Sequence, residues 1–304
     1  VADSGAVGLV LARPVRLLGI EPFFMEFIAG IEETLAERGL SILLHMVATH
    51  EAEIEAYRRW ADRRLVDVVV VVNLVADDRR PDVLRELGLP YLLVGNWPAD
   101  QPPAVRTDDA QAERSAVSHL LGLGHRHIAR VSGPQRLLHT QARTAALLEE
   151  CRAVGVEPVL VEGDYSDRSG AELTRQLLGL AQPPTAIIYD NDVMAVAGLR
   201  SAQDLGVAVP DRLSLVAWDD STLCRLSSPA MTTMSVDVHE QGVRVALSIL
   251  EILDEVPVIA RWAPTARLTV RGSTAVAPVL DRIDALPGTN SPNRGPSLSR
   301  TAQP

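Results

Sequence analysis

Short β-branched runs alternate with amphipathic stretches of helical length along most of the chain, the pattern of a parallel sheet joined by crossover helices. Residues 7–11 read as a first strand. Residues 23–38 follow as a helix, with Phe24, Phe27, Ile28, Ile31 and Leu35 at helical spacing and Gly39 as its stop. Strands at 41–46, 66–72 and 91–94 then alternate with helices at 54–64 and 81–87, and residues 101–104 form a proline-rich connector. The alternation resumes with a helix over 110–123, a strand over 128–132 and a helix over 141–153. Strands at 158–162, 186–189, 213–217, 232–235 and 266–270 interleave with helices at 170–180, 193–205 and 240–253. Residues 284–304 carry Pro, Gly, Ser and Asn with almost no apolar content, so a disordered tail is expected.

A length of 304 residues and 47% hydrophobic content suit two lobes, each with its own core. No apolar run approaches the roughly 20 residues that a membrane-spanning helix needs. No basic cluster precedes the apolar stretch 6–12, so no secretory signal is read and a cytoplasmic protein is expected. The net charge is −10 and every basic residue is arginine, which leaves no broad cationic face for nucleic acid. Cys151 and Cys224 lack metal or redox spacing and read as free thiols.

In open parallel sheets ligands bind beyond the carboxyl ends of the strands. Those positions are rich in recognition chemistry here. They hold Phe23 and Phe24, Asn96 and Trp97, Arg143, Asp164-Tyr165, Tyr189-Asp190-Asn191-Asp192, and Trp218-Asp219-Asp220. Flat rings beside carboxylate, amide and guanidinium groups suit a sugar or a nucleoside. Plainer roles compete: Asp192 and Asp220 stand where helix N-caps stand, and one of the two phenylalanines faces the core. His125 and His127 flank a helix end, where the exposed carbonyls account for them. No nucleophile elbow, Walker loop or GxGxxG fingerprint is present, so neither an enzyme nor a cofactor or metal is expected.

The chain resembles the effector-binding core of lac/gal-type (LacI/GalR family) bacterial transcriptional repressors over about residues 5–274. The likeness rests on Pro22-Phe23-Phe24, Leu123-Gly124-His125-Arg126-His127-Ile128-Ala129 and Gly163-Asp164-Tyr165-Ser166. Pro183-Pro184-Thr185-Ala186-Ile187, Asp190-Asn191-Asp192-Val193-Met194-Ala195, Val209-Pro210-Asp211, Trp218-Asp219-Asp220 and Leu268-Thr269-Val270-Arg271-Gly272-Ser273-Thr274 continue it in order.

This resemblance implies an α/β, two-lobed, periplasmic-binding-protein-like fold, each lobe a parallel sheet flanked by helices, with a hinge of three crossovers. The crossovers are expected near Ser132-Gly133, Ser235 to Asp237 and Pro264 to Ala266. The N-terminal lobe is then 1–132 plus about 238–263, and the C-terminal lobe 133–235 plus about 266–277. The family's motifs place Arg143, Asn191 and Asp219 against ligand hydroxyls or base edges, with Phe23, Phe24 and Trp218 as apolar walls. Glu21, Trp97, Asp108, Tyr189 and Val236 are further candidates.

Two departures stand out: Glu21 replaces the usual Asn, and Arg13-Pro14-Val15-Arg16 precedes it. The implied function is sensing of a small-molecule effector, a sugar or a derivative, by a homodimer. Operator DNA would be bound only through a helix-turn-helix headpiece, which this chain does not show; it reads either as a piece of a longer repressor or as a regulator without one. A solute-binding protein of a sugar transporter is the alternative, and a sugar-processing enzyme using Asp219 with Asp192 or Asp220 is a third.

Overall fold

A computed structural model describes residues 4–13, 22–97 and 104–279. Two six-stranded sheets form the frame. In the first, β1 (Ala6–Ala12), β2 (Ser41–Val47), β3 (Val68–Val71), β4 (Tyr91–Val94) and β5 (Ala104–Arg106) are all parallel. Its far edge is β11 (Arg261–Trp262), giving the order β11-β5-β4-β3-β1-β2. The second sheet contains β6 (Ile128–Ser132), β7 (Val159–Glu162), β8 (Ala186–Tyr189), β9 (Ser214–Trp218), β10 (Thr232–Ser235) and β12 (Arg267–Thr269). Its order is β12-β10-β9-β8-β6-β7, with β12 antiparallel to β10.

Strand alternation decides which core each side chain enters. On β1, Val7, Leu9 and Leu11 face α1 (Pro22–Ala36) and α9 (Val238–Leu253), where Phe27, Ile31 and Ile249 meet them. Val10 faces the opposite way, into the cluster of Tyr57 and Trp60 on α2 (His50–Arg63). In the second sheet Ile187 and Tyr189 face α6 (Asp167–Leu178) and α7 (Asp192–Asp204), while Ile188 faces α4 (Asp109–Gly122) and α5 (Leu138–Ala153). Two shorter helices, α3 (Arg80–Glu86) and α8 (Thr222–Leu226), complete the described elements. Helices α1 and α9 touch backbone to backbone at glycines: a Cβ on Gly30 would run into the His239 carbonyl, and one on Gly242 into that of Phe27.

Some sequence expectations shift. Helix α2 begins at His50 and not at 54, because Thr49 caps it by accepting from the Ala52 N–H and Glu51 and Glu53 fill its first turn. Residues 101–103 of the proline-rich connector lie outside the described residues, and a strand that the sequence did not predict, β5, begins at Ala104. Helix α4 buries Ala112, Ala116 and Val117 in the core of the second sheet, and β6 pairs there with β7 and β8. The first crossover therefore lies between Arg106 and Asp109, not at Ser132-Gly133, and residues 109–132 belong with the second lobe. Among the described residues the chain crosses twice more, between Ser235 and Val238 and between Trp262 and Arg267. The carbonyls at the end of α4 do not account for His125. Fully buried, it shares hydrogen bonds with the Thr185 and Ser214 hydroxyls at 2.9 and 3.1 Å. Both cysteines are free and buried, and no helix among the described residues is long and apolar enough to cross a membrane.

Candidate functional site

The carboxyl ends of the two sheets face each other across a cleft open to solvent. One wall comes from the first sheet: Phe23, Phe24 and Phe27 at the start of α1, with Asn73 and Gly95 after β3 and β4. Facing them are His139, Arg143, Tyr165, Asn191, Trp218 and Asp219. Val236, Pro264 and Ala266 close the back, where the chain crosses. Beside the cleft the lobes touch directly, through a bridge between Val75 and Leu137 and a hydrogen bond from the Leu138 N–H to the Leu74 carbonyl at 2.8 Å.

Arg143 is the centre of the second wall. Its Nε and Nη2 donate to Asp109 Oδ1 at 3.0 and 2.8 Å, and its guanidinium carbon stands 3.3 Å from the centre of the Trp218 ring. Burial works to raise the pKa of Asp109, but Arg143, His139 and the Thr107 hydroxyl outweigh it and hold the carboxyl below its usual range. His139 lies one turn before Arg143 on α5, so both side chains share the cleft face. Burial, and then the adjacent Arg143 charge, push His139 down to about 4, leaving a neutral ring whose Nε2 meets the Tyr165 hydroxyl at 2.8 Å.

Behind this wall runs a buried charge network. Arg130, wholly inaccessible, donates from Nε and Nη2 to the two Asp190 oxygens at 2.8 Å each. Asp190 Oδ2 also accepts the Gly133 N–H at 2.8 Å. Trp218 Nε1 donates to Glu113 Oε2 at 2.7 Å, and burial pushes that carboxyl up. Three non-glycine residues of the lining hold left-handed backbone: Asn73, Tyr165 and Asp219, at φ of 52°, 69° and 66°. Such conformations are sterically costly, and this cleft gathers three of them.

Phe23, Phe24, Arg143, Asn191, Trp218 and Asp219 come together on the lining, along with Asp108 and Val236. Several have duties the sequence did not reveal. Asn191, not Asp192, caps α7 by accepting the Met194 N–H at 2.9 Å, and its amide donates to the Tyr165 carbonyl at 3.0 Å. Ser221, not Asp220, caps α8. Asp220 instead accepts from Arg271 at 2.7 Å and from the Ser235 hydroxyl at 2.9 Å. Asp108 caps α4 through the Gln111 N–H.

Two candidates leave the site. Tyr189 is fully buried between α6 and α7, its hydroxyl 2.7 Å from that of Thr174, because β8 alternation turns it away from the cleft end. Trp97 packs with the cluster around Tyr57 and Trp60 and is not on the lining. Glu21 lies outside the described residues. Asp109, His139 and Arg13 join the lining without having been singled out for it, Tyr165 and Asp190 had been marked only by their place after a strand, and the four-residue step from His139 to Arg143 is the signal that could have found one of the three. Among the described residues no group of three or more His, Cys, Asp or Glu could hold a metal.

Residues 117–274 match the periplasmic binding protein-like domain family. Over 279 residues the chain is 31% identical to the HTH-type transcriptional regulator CelR of Thermobifida fusca, spanning 89% of this chain and 81% of that protein. It is 28% identical over 271 residues to the HTH-type transcriptional repressor CytR of Escherichia coli strain K12, spanning 85% and 77%. A LacI family transcriptional regulator from Bifidobacterium animalis subsp. lactis superposes with a TM-score of 0.82 at 34% identity, covering 91% of this chain and 100% of that one. The CelR–cellobiose complex superposes at 0.81 with 29% identity, covering 89% and 85%.

Proposed function

The chain belongs to the LacI family of transcriptional regulators, and from that premise we propose that its interlobe cleft binds a sugar effector that changes operator binding. The observation that carries this reading is Arg143, held by Asp109, the Asp190 carbonyl and the face of Trp218 on the lining of an open, aromatic-walled cavity. The cellobiose held by a structural neighbour of the same family supports a sugar. Carboxylates outnumber guanidiniums on the lining, with Asp108, Asp109, Asp192 and Asp219 against Arg13 and Arg143, the Asp190 carboxylate being taken up by the buried Arg130. That balance favours an uncharged sugar over a phosphorylated one. The transporter reading has less support, since the named relatives are transcriptional regulators.

In this proposal Arg143 and Asp219 hold hydroxyls, Asn191 shapes the pocket through Tyr165, and Phe23 and Phe24 line the opposite side. Ligand bound better by one lobe arrangement than another shifts the population of lobe positions and hence the spacing of two DNA-binding units across a homodimer. The relatives' names specify a helix-turn-helix unit for DNA, and the site of action is the cytoplasm. The test is calorimetric titration of cellobiose, maltose and glucose, each beside a phosphorylated counterpart, into wild type, Arg143→Ala and Asp219→Ala. A neutral sugar is expected to bind wild type, and each variant to bind it about 30-fold or more weakly, the worth of charge-assisted hydrogen bonds. Unchanged affinity in both variants removes the cleft assignment.

A further inference from the structure

Helix α9 lays an apolar stripe on the first core at Val238, Val245, Ile249 and Ile252. Gln241 falls in register with that stripe, three residues after Val238 and four before Val245, where an apolar side chain is the rule. It is only 6% exposed, and it lines the cleft. Among the described residues its side-chain amide has no hydrogen-bond partner. Other polar side chains of the lining are engaged inside the protein: Arg143 with Asp109, His139 with Tyr165, and Asp108 with the Gln111 N–H. A buried amide without a partner costs folding free energy, so its presence in an apolar stripe points to a partner that comes from outside.

The placement of Gln241 is rigid. The backbones of α1 and α9 meet at Gly30 and at Gly242, the residue after Gln241, where an added Cβ would strike the Phe27 carbonyl. Helix α9 begins directly after the crossover that follows β10. Val236, Ala263, Pro264 and Ala266, which line the cleft where the chain crosses, offer no polar side-chain atom. We propose that Gln241 is a specificity-determining contact of the effector site, its amide held for a hydroxyl of the sugar. This inference rests on the sugar-sensing reading and deepens it. An amide carries both an acceptor and donors and so matches a hydroxyl in either role. A sugar bonded to Gln241 on the first lobe and to Arg143 on the second ties a helix of each lobe to one molecule. A ligand lacking that hydroxyl leaves the amide buried and unpaired, which is the basis of its rejection.

The test titrates cellobiose, maltose and glucose into wild type, Gln241→Met, Gln241→Leu and Arg143→Ala, with thermal melts of each protein without sugar. Met keeps the length of the glutamine and Leu its branching, and neither carries an amide. A sugar that binds wild type is expected to bind both Gln241 variants about two- to 12-fold more weakly, the worth of one neutral hydrogen bond expressed as affinity. Their melting points without sugar are expected to equal or exceed that of wild type, because no bond is lost and an unpaired amide is removed. A residue serving only the fold does not give weaker binding with undiminished stability. Unchanged or tighter binding in both variants overturns the contact, and it overturns that alone where Arg143→Ala has lost binding. Weaker binding together with a lower melting point in both variants also overturns it, making Gln241 a part of the fold. Sugars that bind neither wild type nor either Gln241 variant overturn the sugar-sensing reading itself, and the Gln241 contact with it.

Discussion

Asp190 joins the cleft to the core, and replacing it puts a definite load on the second lobe. Both of its oxygens bond Arg130 at 2.8 Å, and Oδ2 also takes the Gly133 N–H. Asp190→Ala strips the Nε and Nη2 partners from a cation with no access to water, leaving the Thr144 hydroxyl on Nη1 and Glu113 Oε1 at 3.8 Å. Removing one partner of a buried ion pair costs about 3–5 kcal/mol. Glu113 Oε1 lacks a hydrogen bond of its own, so its approach to Arg130 offsets part of this and favours the lower end. Asp190→Asn keeps the shape, turns one acceptor into a donor and is expected to cost about 1–3 kcal/mol. Urea unfolding followed by circular dichroism reads both, with the two lobes fitted as separate transitions where they separate. Adding Arg130→Met to Asp190→Ala is expected to recover stability, since it removes the stranded charge. A loss below about 1 kcal/mol for Asp190→Ala, or no recovery in the double variant, refutes the claim that this pair is a buried, mutually dependent unit.

Acid should weaken the fold in a defined window. His139 sits near 4 when folded, below its usual value of 6.5, so the unfolded chain takes up the proton first. Stability is then expected to fall as pH drops from about 6.5 to about 4, by at most about 3 kcal/mol, with cleft water reducing it; His139→Gln should flatten that slope in pH-dependent melts. Trp218→Phe removes the donor to Glu113 Oε2 and is expected to cost about 1–3 kcal/mol, while Trp262→Phe, on a side chain more than half exposed, should leave the melting point unchanged. Gly30→Ala forces α1 off the His239 carbonyl of α9 and is expected to cost about 1–3 kcal/mol or more, whereas Gly88→Ser, in open space, should show only the strain of its positive φ.

The regular frame was legible because period-2 and period-3.6 hydrophobicity is a property of the residues themselves. Val7, Leu9 and Leu11 announce β1, and Phe27, Ile31 and Leu35 announce α1. What failed depended on partners distant in sequence. The three residues of β5 have no pattern of their own and become a strand only between β4 and β11. That omission also misplaced the first crossover, since nothing local says that α4 buries its alanines on the second sheet.

At the site, residue types were readable and assignments were off by one. The Asp190-Asn191-Asp192 run contains three side chains able to cap α7, and only the turn geometry selects Asn191 and sends Asp190 inward to Arg130. Tyr189 looked like a cleft ring because it ends a strand, yet β8 alternation buries it. Trp218 and Arg143 were each legible as cleft residues, while the stacking of the Arg143 guanidinium, supplied from α5, on the Trp218 face was not.

The most direct test of a ligand held between the lobes is hydrogen exchange with and without each of cellobiose, maltose and glucose at saturation. A sugar in the cleft protects amides in 71–75 of the first lobe together with 189–193 and 217–220 of the second. Protection confined to one lobe, or appearing only at surfaces away from Arg143, contradicts an interlobe effector site.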